Sequence, residues 1–243
     1  MRNAAIFALS VCLVAICSCA QTKSVKIYED LRTGVALRKV IPRDAPSSMP
    51  PYSHPFSFQL EDLKFLLSTI GYSEKGFFGW SEAPRVFSAE ELYRLTPHLV
   101  QAFERAAPEE EVLFHLTTAK PGMVFASDRF TSGAMFVKDK KLNCLFANVN
   151  IRPHVTEAQD GDPRIYYSGA LWRLAKGEWQ TLFEDEKGTH HNWIVLDIEA
   201  GLAEKKRVDQ SVRQELRRRV FRKRPAEGTD WQDWQPDEWI PPR

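Results

Sequence analysis

The first twenty residues constrain this chain more than any other stretch. Residues 1–3 form a short, positively charged start, and an apolar run follows over residues 4–16. Small residues come next, at Ser18 and Ala20. A membrane-spanning helix needs roughly 20 apolar residues. Because this run is shorter and opens into polar chain, it predicts a secretory signal peptide and an exported protein.

Two cleavage positions fit the end of this leader. Ser18-Cys19-Ala20 is a small-x-small site, and cleavage after Ala20 would release a soluble protein. Alternatively, Ile16-Cys17-Ser18-Cys19 resembles the lipobox of bacterial lipoproteins, in which an aliphatic, a variable and a small residue precede a modified cysteine. Cys17 departs from that pattern, since a small or β-branched residue is more usual in the variable position. The lipobox is the favoured interpretation.

The resemblance implies a membrane anchor at Cys19. In bacterial lipoproteins the chain is cleaved before this cysteine, which then carries a diacylglycerol on its sulfur and an acyl chain on its amino group. Each buried methylene is worth about 0.8 kcal/mol, so three chains would make release negligible. Ala20, in place of an aspartate, implies the periplasmic face of the outer membrane. The resemblance implies no cofactor.

The cysteine count agrees with this interpretation. Cys12, Cys17 and Cys19 lie in the leader, and only Cys144 lies beyond it. If Cys19 carries lipid, Cys144 has no partner for an intramolecular disulfide. An unpaired cysteine in an oxidising compartment is usually a small buried hydrophobe. We therefore expect Cys144 to be buried and to have no catalytic role.

The composition along the chain predicts four parts. They are a signal peptide (1–18), a lipidated N-terminus with a proline-rich tether (19–55), a single α+β domain (56–224) and a Trp-rich acidic tail (225–243). Residues 24–41 hold short β-like pieces. Five prolines fall within residues 42–55, which favours an extended spacer between membrane and domain. The alternative is a proline-rich ligand for a partner's groove.

Two helical regions are predicted before the strands. Apolar residues recur at helical spacing over residues 56–70, and residues 71–84 form a Gly- and aromatic-rich connection that leads to Ser88. Ser88 and Glu91 make a capping box that begins a helix. Pro97 disfavours continuation of that helix, so a separate helix is expected to begin there.

From residue 112 the hydrophobic period changes to that of β-strands. A turn at Asp139-Lys140 is expected to join one hairpin, and a turn at Lys176-Gly177 another. The predicted strands are residues 112–117, 124–126, 134–138, 142–149, 165–175, 178–183 and 193–198. Short strands joined by tight turns favour a mainly antiparallel sheet. The expected fold is therefore α+β, with N-terminal helices packed on this sheet and a C-terminal basic helix.

His190 and His191 lie beside acidic residues 184–186. In a loop both imidazoles could reach one metal ion with a carboxylate, which would suit a metal-dependent hydrolase. No further spaced ligand pair accompanies them, so a polar hairpin tip is the favoured interpretation. The sequence also has no G-x-S-x-G elbow, Walker loop or H-E-x-x-H helix. An enzyme is therefore not the leading hypothesis.

Residues 204–224 are strongly basic, with ten positive charges against three negative ones. Asp209 is the expected N-cap of a helix whose apolar stripe is Val208, Val212, Leu216 and Val220. Three interpretations stand: a docked helix with solvated arginines, a contact with lipid phosphates or another anionic envelope polymer, and a site for an acidic protein. Export argues against nucleic acid. The candidate residues for an anionic partner are Arg213, Arg217, Arg218 and Arg222.

The tail, residues 225–243, carries Trp231, Trp234 and Trp239 among acidic residues and prolines. Its indoles favour burial. The favoured interpretation has the tail folding back with its acids near the basic helix, and the alternative is a short motif that inserts into a partner. The expected function is a lipid-anchored envelope protein acting by binding or scaffolding. The alternative is a small-molecule or lipid-binding domain with a pocket between helices and sheet.

Overall fold

The computed structural model describes residues 24–40, 50–77, 79–81, 84–120, 127–152, 163–164 and 171–222. The leader with Cys19, the predicted strand 124–126 and the tail lie outside these residues. The helices are α1 (Leu60–Ser68), α2 (Ala89–Arg105) and α3 (Ile198–Arg222). The strands are β1 (Ser24–Glu29), β2 (Thr33–Lys39), β3 (Gly71–Gly76), β4 (Gly79–Trp80), β5 (Glu110–Lys120), β6 (Ser127–Lys138), β7 (Lys141–Ile151), β8 (Trp172–Ala175), β9 (Gln180–Asp185) and β10 (Gly188–Asp197).

These strands form a large sheet and a small one. The large sheet has the order β1-β2-β5-β6-β7-β10-β9, and the small sheet has the order β4-β3-β8. Neighbouring strands in both sheets run antiparallel. The prediction of an α+β fold with a mainly antiparallel sheet is therefore confirmed.

The central strands of the large sheet are buried on both faces. Residues from α1 and α2 share one hydrophobic core with alternate residues of the sheet, among them Phe114 and Cys144. On the opposite face, Phe136, Leu145 and Trp193 belong to a second, smaller cluster. Full burial of one such side chain contributes about 1.5–3 kcal/mol. The two clusters together account for the continuous apolar run at residues 144–147 of β7.

The capping box at the start of α2 is confirmed. The Ser88 hydroxyl accepts from the Glu91 N–H at 3.2 Å, and the Glu91 carboxylate accepts from the Ser88 N–H at 2.7 Å. The expected interruption at Pro97 is wrong, since α2 continues through it. Pro97 removes the hydrogen bond to the Tyr93 carbonyl. Both residues lie on the exposed side of the helix, where water can solvate that carbonyl.

Two predictions of strand pairing are wrong. A turn follows Gly177, in which the Gln180 N–H donates to the Gly177 carbonyl at 3.3 Å, but β8 pairs with β3 and β9 pairs with β10, so the two flanking strands are not a hairpin. The predicted connection 71–84 also contains β3 and β4. The pairing of β3 with β8 joins strands that are distant in sequence, whereas β4 and β10 each follow their partner strand directly. By contrast, the Asp139-Lys140 turn joins β6 to β7 as predicted, with φ of 50° and 58° at the two residues.

Part of the predicted tether belongs to the folded structure. The strands β1 and β2 lie in the large sheet, and Tyr52 and His54 are only 4% and 6% exposed. The His54 Nδ1 lies 2.9 Å from the Glu110 carbonyl, and its Nε2 accepts from the Val137 N–H at 3.0 Å. Burial lowers the pKa of His54, so the ring is neutral and links β5, at Glu110, to β6, at Val137. Residues 24–39 and 50–55 are therefore corrected from tether to domain.

The last helix begins earlier than expected. Its first residue is Ile198, and the Asp197 carboxylate accepts from the Ala200 N–H at 2.9 Å, so Asp209 is not the N-cap. The chain divides into two compact units, residues 1–202 and 203–243, and α3 contributes to both. None of the helices in the described part of the chain is long and apolar enough to cross a membrane.

We expect Gly133→Ala to destabilise the protein by about 3 kcal/mol. A Cβ atom at this position would lie 2.0 Å from the Leu145 carbonyl oxygen, within the β6–β7 pairing. Gly76→Ala is the matched control, because its Cβ atom would lie 3.6 Å from the nearest neighbour. Urea unfolding measures both variants. Equal midpoints would contradict the close approach at Gly133.

Candidate functional site

A pocket of about 570 Å³ lies between α1, α2 and the β1–β2 hairpin. This volume is in the range that small ligands occupy in proteins, roughly 300–1,000 Å³. We call it the helix–sheet pocket. Its lining residues are Tyr28, Asp30, Thr33, Leu60, Glu61, Lys64, Leu92, Tyr93, Arg94, Thr96, Pro97 and His98.

The β1–β2 turn fixes one wall of this pocket. The Asp30 carboxylate accepts from the Arg32 N–H at 2.7 Å, the Thr33 N–H at 2.6 Å and the Tyr28 hydroxyl at 2.7 Å. The hydrogen bonds from Arg32 and Tyr28 hold the pKa of Asp30 below its usual value. Since one carboxylate holds the turn at three points, Thr33 is placed rigidly at the end of β2.

Helix α2 forms the facing wall. The His98 ring stacks on Tyr28, with ring centroids 3.5 Å apart and planes 7° from parallel. Burial lowers the pKa of His98, which keeps the imidazole neutral near pH 7. The neighbouring Leu92 is buried, whereas Leu60 of α1 and Tyr93 are 43% and 76% exposed. The walls are therefore largely apolar and aromatic, with the two exposed side chains at the opening.

Three buried polar atoms in this lining have no hydrogen-bond partner among the described residues: Thr33 Oγ1, Thr96 Oγ1 and Arg94 Nε. The two threonines are fully buried. Most buried polar groups in proteins are paired, and each unpaired one costs about 1–3 kcal/mol. A few polar groups converging in an apolar pocket are typical of a ligand site. We therefore take this pocket as the candidate site.

A second cleft, of about 560 Å³, lies beside β1, β2, β5 and β6. Small residues line it, and the His115 ring packs directly on Gly34, where a Cβ atom would lie 2.1 Å from the ring. Its charges are already balanced in pairs. Lys26 lies 2.6 Å from Glu29, and Arg38 contacts the fully buried Glu111. This cleft therefore has fewer unengaged polar groups for a ligand to bind than the helix–sheet pocket has.

Glu111 also contacts Arg164. The Arg164 guanidinium lies 3.4 Å from the Tyr52 hydroxyl as well. Burial raises the pKa of Tyr52 to about 12, so this phenol stays neutral. A buried carboxylate between two arginines is satisfied by its partners, and removing one partner from such a group is strongly destabilising. We assign this cluster a structural role.

His190 and His191 both lie within β10, close to the turn that joins it to β9. The His190 Nε2 is 3.0 Å from the Asp185 carboxylate, and its ring contacts Phe183 and Trp193. This contact lowers the pKa of Asp185. Within the described ranges, no three His, Cys, Asp or Glu side chains come together as a metal site would require.

The candidate arginines lie on α3. Arg213, Arg217 and Arg218 are exposed, and the side chain of Arg222 lies outside the described part of the chain. The apolar stripe of the same helix is exposed too, with exposed fractions of 39% for Val208, 52% for Val212 and 55% for Leu216. Docking of this stripe on a core stays a prediction.

Cys144 is fully buried, as predicted, and is a free cysteine. Burial raises the pKa of its thiol far above the usual range. Because the thiolate is the reactive form of cysteine, this side chain is unsuited to nucleophilic catalysis. It fills space in the main core as a small hydrophobe.

The sequence did not indicate the residues of the helix–sheet pocket. Thr33 was part of a turn, Thr96 the expected start of a helix, and Arg94 one arginine among many. No family model, curated protein or solved structure matches this chain. The pocket is identified from its geometry, because its residues come together only in the folded chain.

We expect Thr33→Val and Thr96→Val to leave stability unchanged or raise it by about 1 kcal/mol, because each removes an unpaired buried hydroxyl. Thr131→Val is the matched control. Thr131 is also buried, at 4% exposure, but its hydroxyl accepts from the Asn150 N–H at 3.0 Å, so we expect a loss of about 1 kcal/mol. Urea unfolding of the three variants measures the difference. Losses at Thr33 and Thr96 as large as at Thr131 would contradict the absence of partners.

Proposed function

We propose that this protein is an envelope lipoprotein, anchored through Cys19 to the periplasmic face of the outer membrane, and that it acts by binding. The lipobox-like residues 16–19 support the anchor. In this proposal α1 and α2 pack on the sheet as a rigid body, and α3 supplies the basic surface. The absence of a third ligand near His190 and His191 among the described residues gives the metal-dependent hydrolase no support.

The exposed basic helix is the observation that carries this proposal. Residues 203–222 hold eight positive and three negative charges, a net charge of +5. Three apolar residues of the same segment, Val208, Val212 and Leu216, are exposed. Amphipathic helices with basic polar faces bind anionic lipid surfaces, and each basic residue near such a surface adds about 1 kcal/mol. An anionic lipid surface is therefore the partner that fits both features.

The anchor is tested by Cys19→Ser. We expect the wild-type protein to fractionate with membranes and its mature N-terminus to carry diacylglycerol, because the thiol is the attachment atom. The variant should lose both properties. Cys17→Ser is the matched control, since Cys17 occupies the variable position and its replacement should leave the anchor intact. Membrane fractionation with mass spectrometry decides, and a processed, membrane-bound Cys19→Ser protein would overturn the anchor.

The basic helix is tested by co-sedimentation with lipid vesicles, using the full mature chain carrying Cys19→Ser. We expect binding to phosphatidylglycerol vesicles that weakens as salt rises, because salt screens exposed charges. Changing Arg213, Arg217 and Arg218 together to glutamate should weaken binding at least about 100-fold.

The control for this experiment changes three exposed lysines of the other unit to glutamate, which alters the net charge equally. They are Lys75, Lys176 and Lys187. We expect this variant to keep most of its binding. Equal losses in the two variants, or equal binding to phosphatidylcholine vesicles, would overturn the role of the helix.

A second candidate function is a small-molecule-binding domain, with the ligand held between helices and sheet. The helix–sheet pocket favours it, because Thr33, Thr96 and Arg94 present unpaired buried polar atoms there. The two functions are compatible in one anchored protein. They use different residues, so variants separate them.

A further inference from the structure

Two cations, Arg94 and Lys64, line the helix–sheet pocket, and Arg94 is the one without an ion pair among the described residues. Among the described residues it makes no hydrogen bond or ion pair, and its Nε is buried. Lys64, the other cation of the lining, lies 3.4 Å from Glu61. A partly buried guanidinium without a partner is costly, and planar carboxylates match its donors in pairs.

Asp30 is the acidic side chain that Arg94 influences through space, but its oxygens are already engaged. They accept from Tyr28 and from the backbone of Arg32 and Thr33. Arg94 lowers the pKa of Asp30 through space without bonding to it. The guanidinium therefore keeps donors for a group that enters the pocket.

The remaining lining determines what that group is attached to. Leucine and tyrosine side chains surround the opening, and the Tyr28–His98 stack forms a flat apolar surface. The hydroxyls of Thr33 and Thr96 can each donate or accept one hydrogen bond as they rotate. The other charged groups of the lining are already engaged, because Lys64 lies 3.4 Å from Glu61 and Asp30 accepts three hydrogen bonds of the β1–β2 turn. An apolar wall with Arg94 and two hydroxyls left to bind a ligand suits a molecule with a polar end and an apolar body.

We infer that the helix–sheet pocket binds a small amphipathic carboxylate. Its charged end pairs with the Arg94 guanidinium, the hydroxyls of Thr33 and Thr96 supply further donors, and its apolar body lies against the leucines and tyrosines. This inference rests on the second candidate function. It is independent of the anchor at Cys19 and of the basic helix.

The test compares three probes of the same chain length and different head group: octanoate, octanol and octylammonium. Isothermal titration of the purified full chain measures their affinities, and the amide NMR shifts of the lining residues locate binding. We expect octanoate to bind at least ten-fold more tightly than octanol, and octylammonium to bind most weakly. Arg94→Gln should abolish the preference for octanoate and leave octanol affinity unchanged.

Arg105→Gln is the matched control, because Arg105 lies in the last turn of the same helix and outside the pocket. We expect it to bind octanoate like the wild type. The Thr33→Val and Thr96→Val double variant should lose at least three-fold in octanoate affinity while remaining folded. Equal binding of octanoate and octanol overturns the carboxylate but leaves the second candidate function. Absence of binding by every probe overturns both.

Discussion

The pairing of β2 with β5 is the contact on which the rest of the structure depends. It joins Thr33 to Leu116 and Lys39 to Glu110 across seven consecutive residue pairs. The chain between these strands contains α1, β3, β4 and α2. Once the two strands pair, both helices must lie within one closed loop beside the sheet. The start of β2 and the middle of α2 then lie side by side, and the helix–sheet pocket forms between them and α1.

Closing so long a loop costs conformational entropy, which grows slowly with loop length. Burial on both faces of the sheet offsets this cost, through the main core on one side and the Phe136–Trp193 cluster on the other. The helix–sheet pocket lowers the stability that this burial provides. Two fully buried hydroxyls that have no partner in the described part of the chain reduce stability where neighbouring positions are well packed. Proteins commonly break local rules of stability at functional sites, and this is the reason to assign the pocket a function.

Features set by adjacent residues could be predicted from the sequence. The Ser88 capping box, the Asp139-Lys140 turn and the buried Cys144 each depend on local chemistry or on composition. Features set by distant partners could not. The separation of β8 from β9 depends on β3, roughly a hundred residues earlier, and no local signal encodes that pairing. The candidate site has the same character, since Thr33 and Thr96 belong to different elements and have ordinary neighbours in the sequence.

Local charge and local polarity, not overall composition, distinguish this protein. The whole chain carries a net charge of +1, which gives no indication of an anionic partner. Residues 203–222 alone carry +5, because the opposite charges lie elsewhere along the chain. Screening confines the interactions of exposed charges to about 10 Å at 0.1 M salt. A surface in contact with α3 therefore interacts mainly with the charges of that helix. A ligand beside Arg94 interacts mainly with its guanidinium. Both binding proposals therefore depend on local charges, which the small net charge of the whole chain does not reveal.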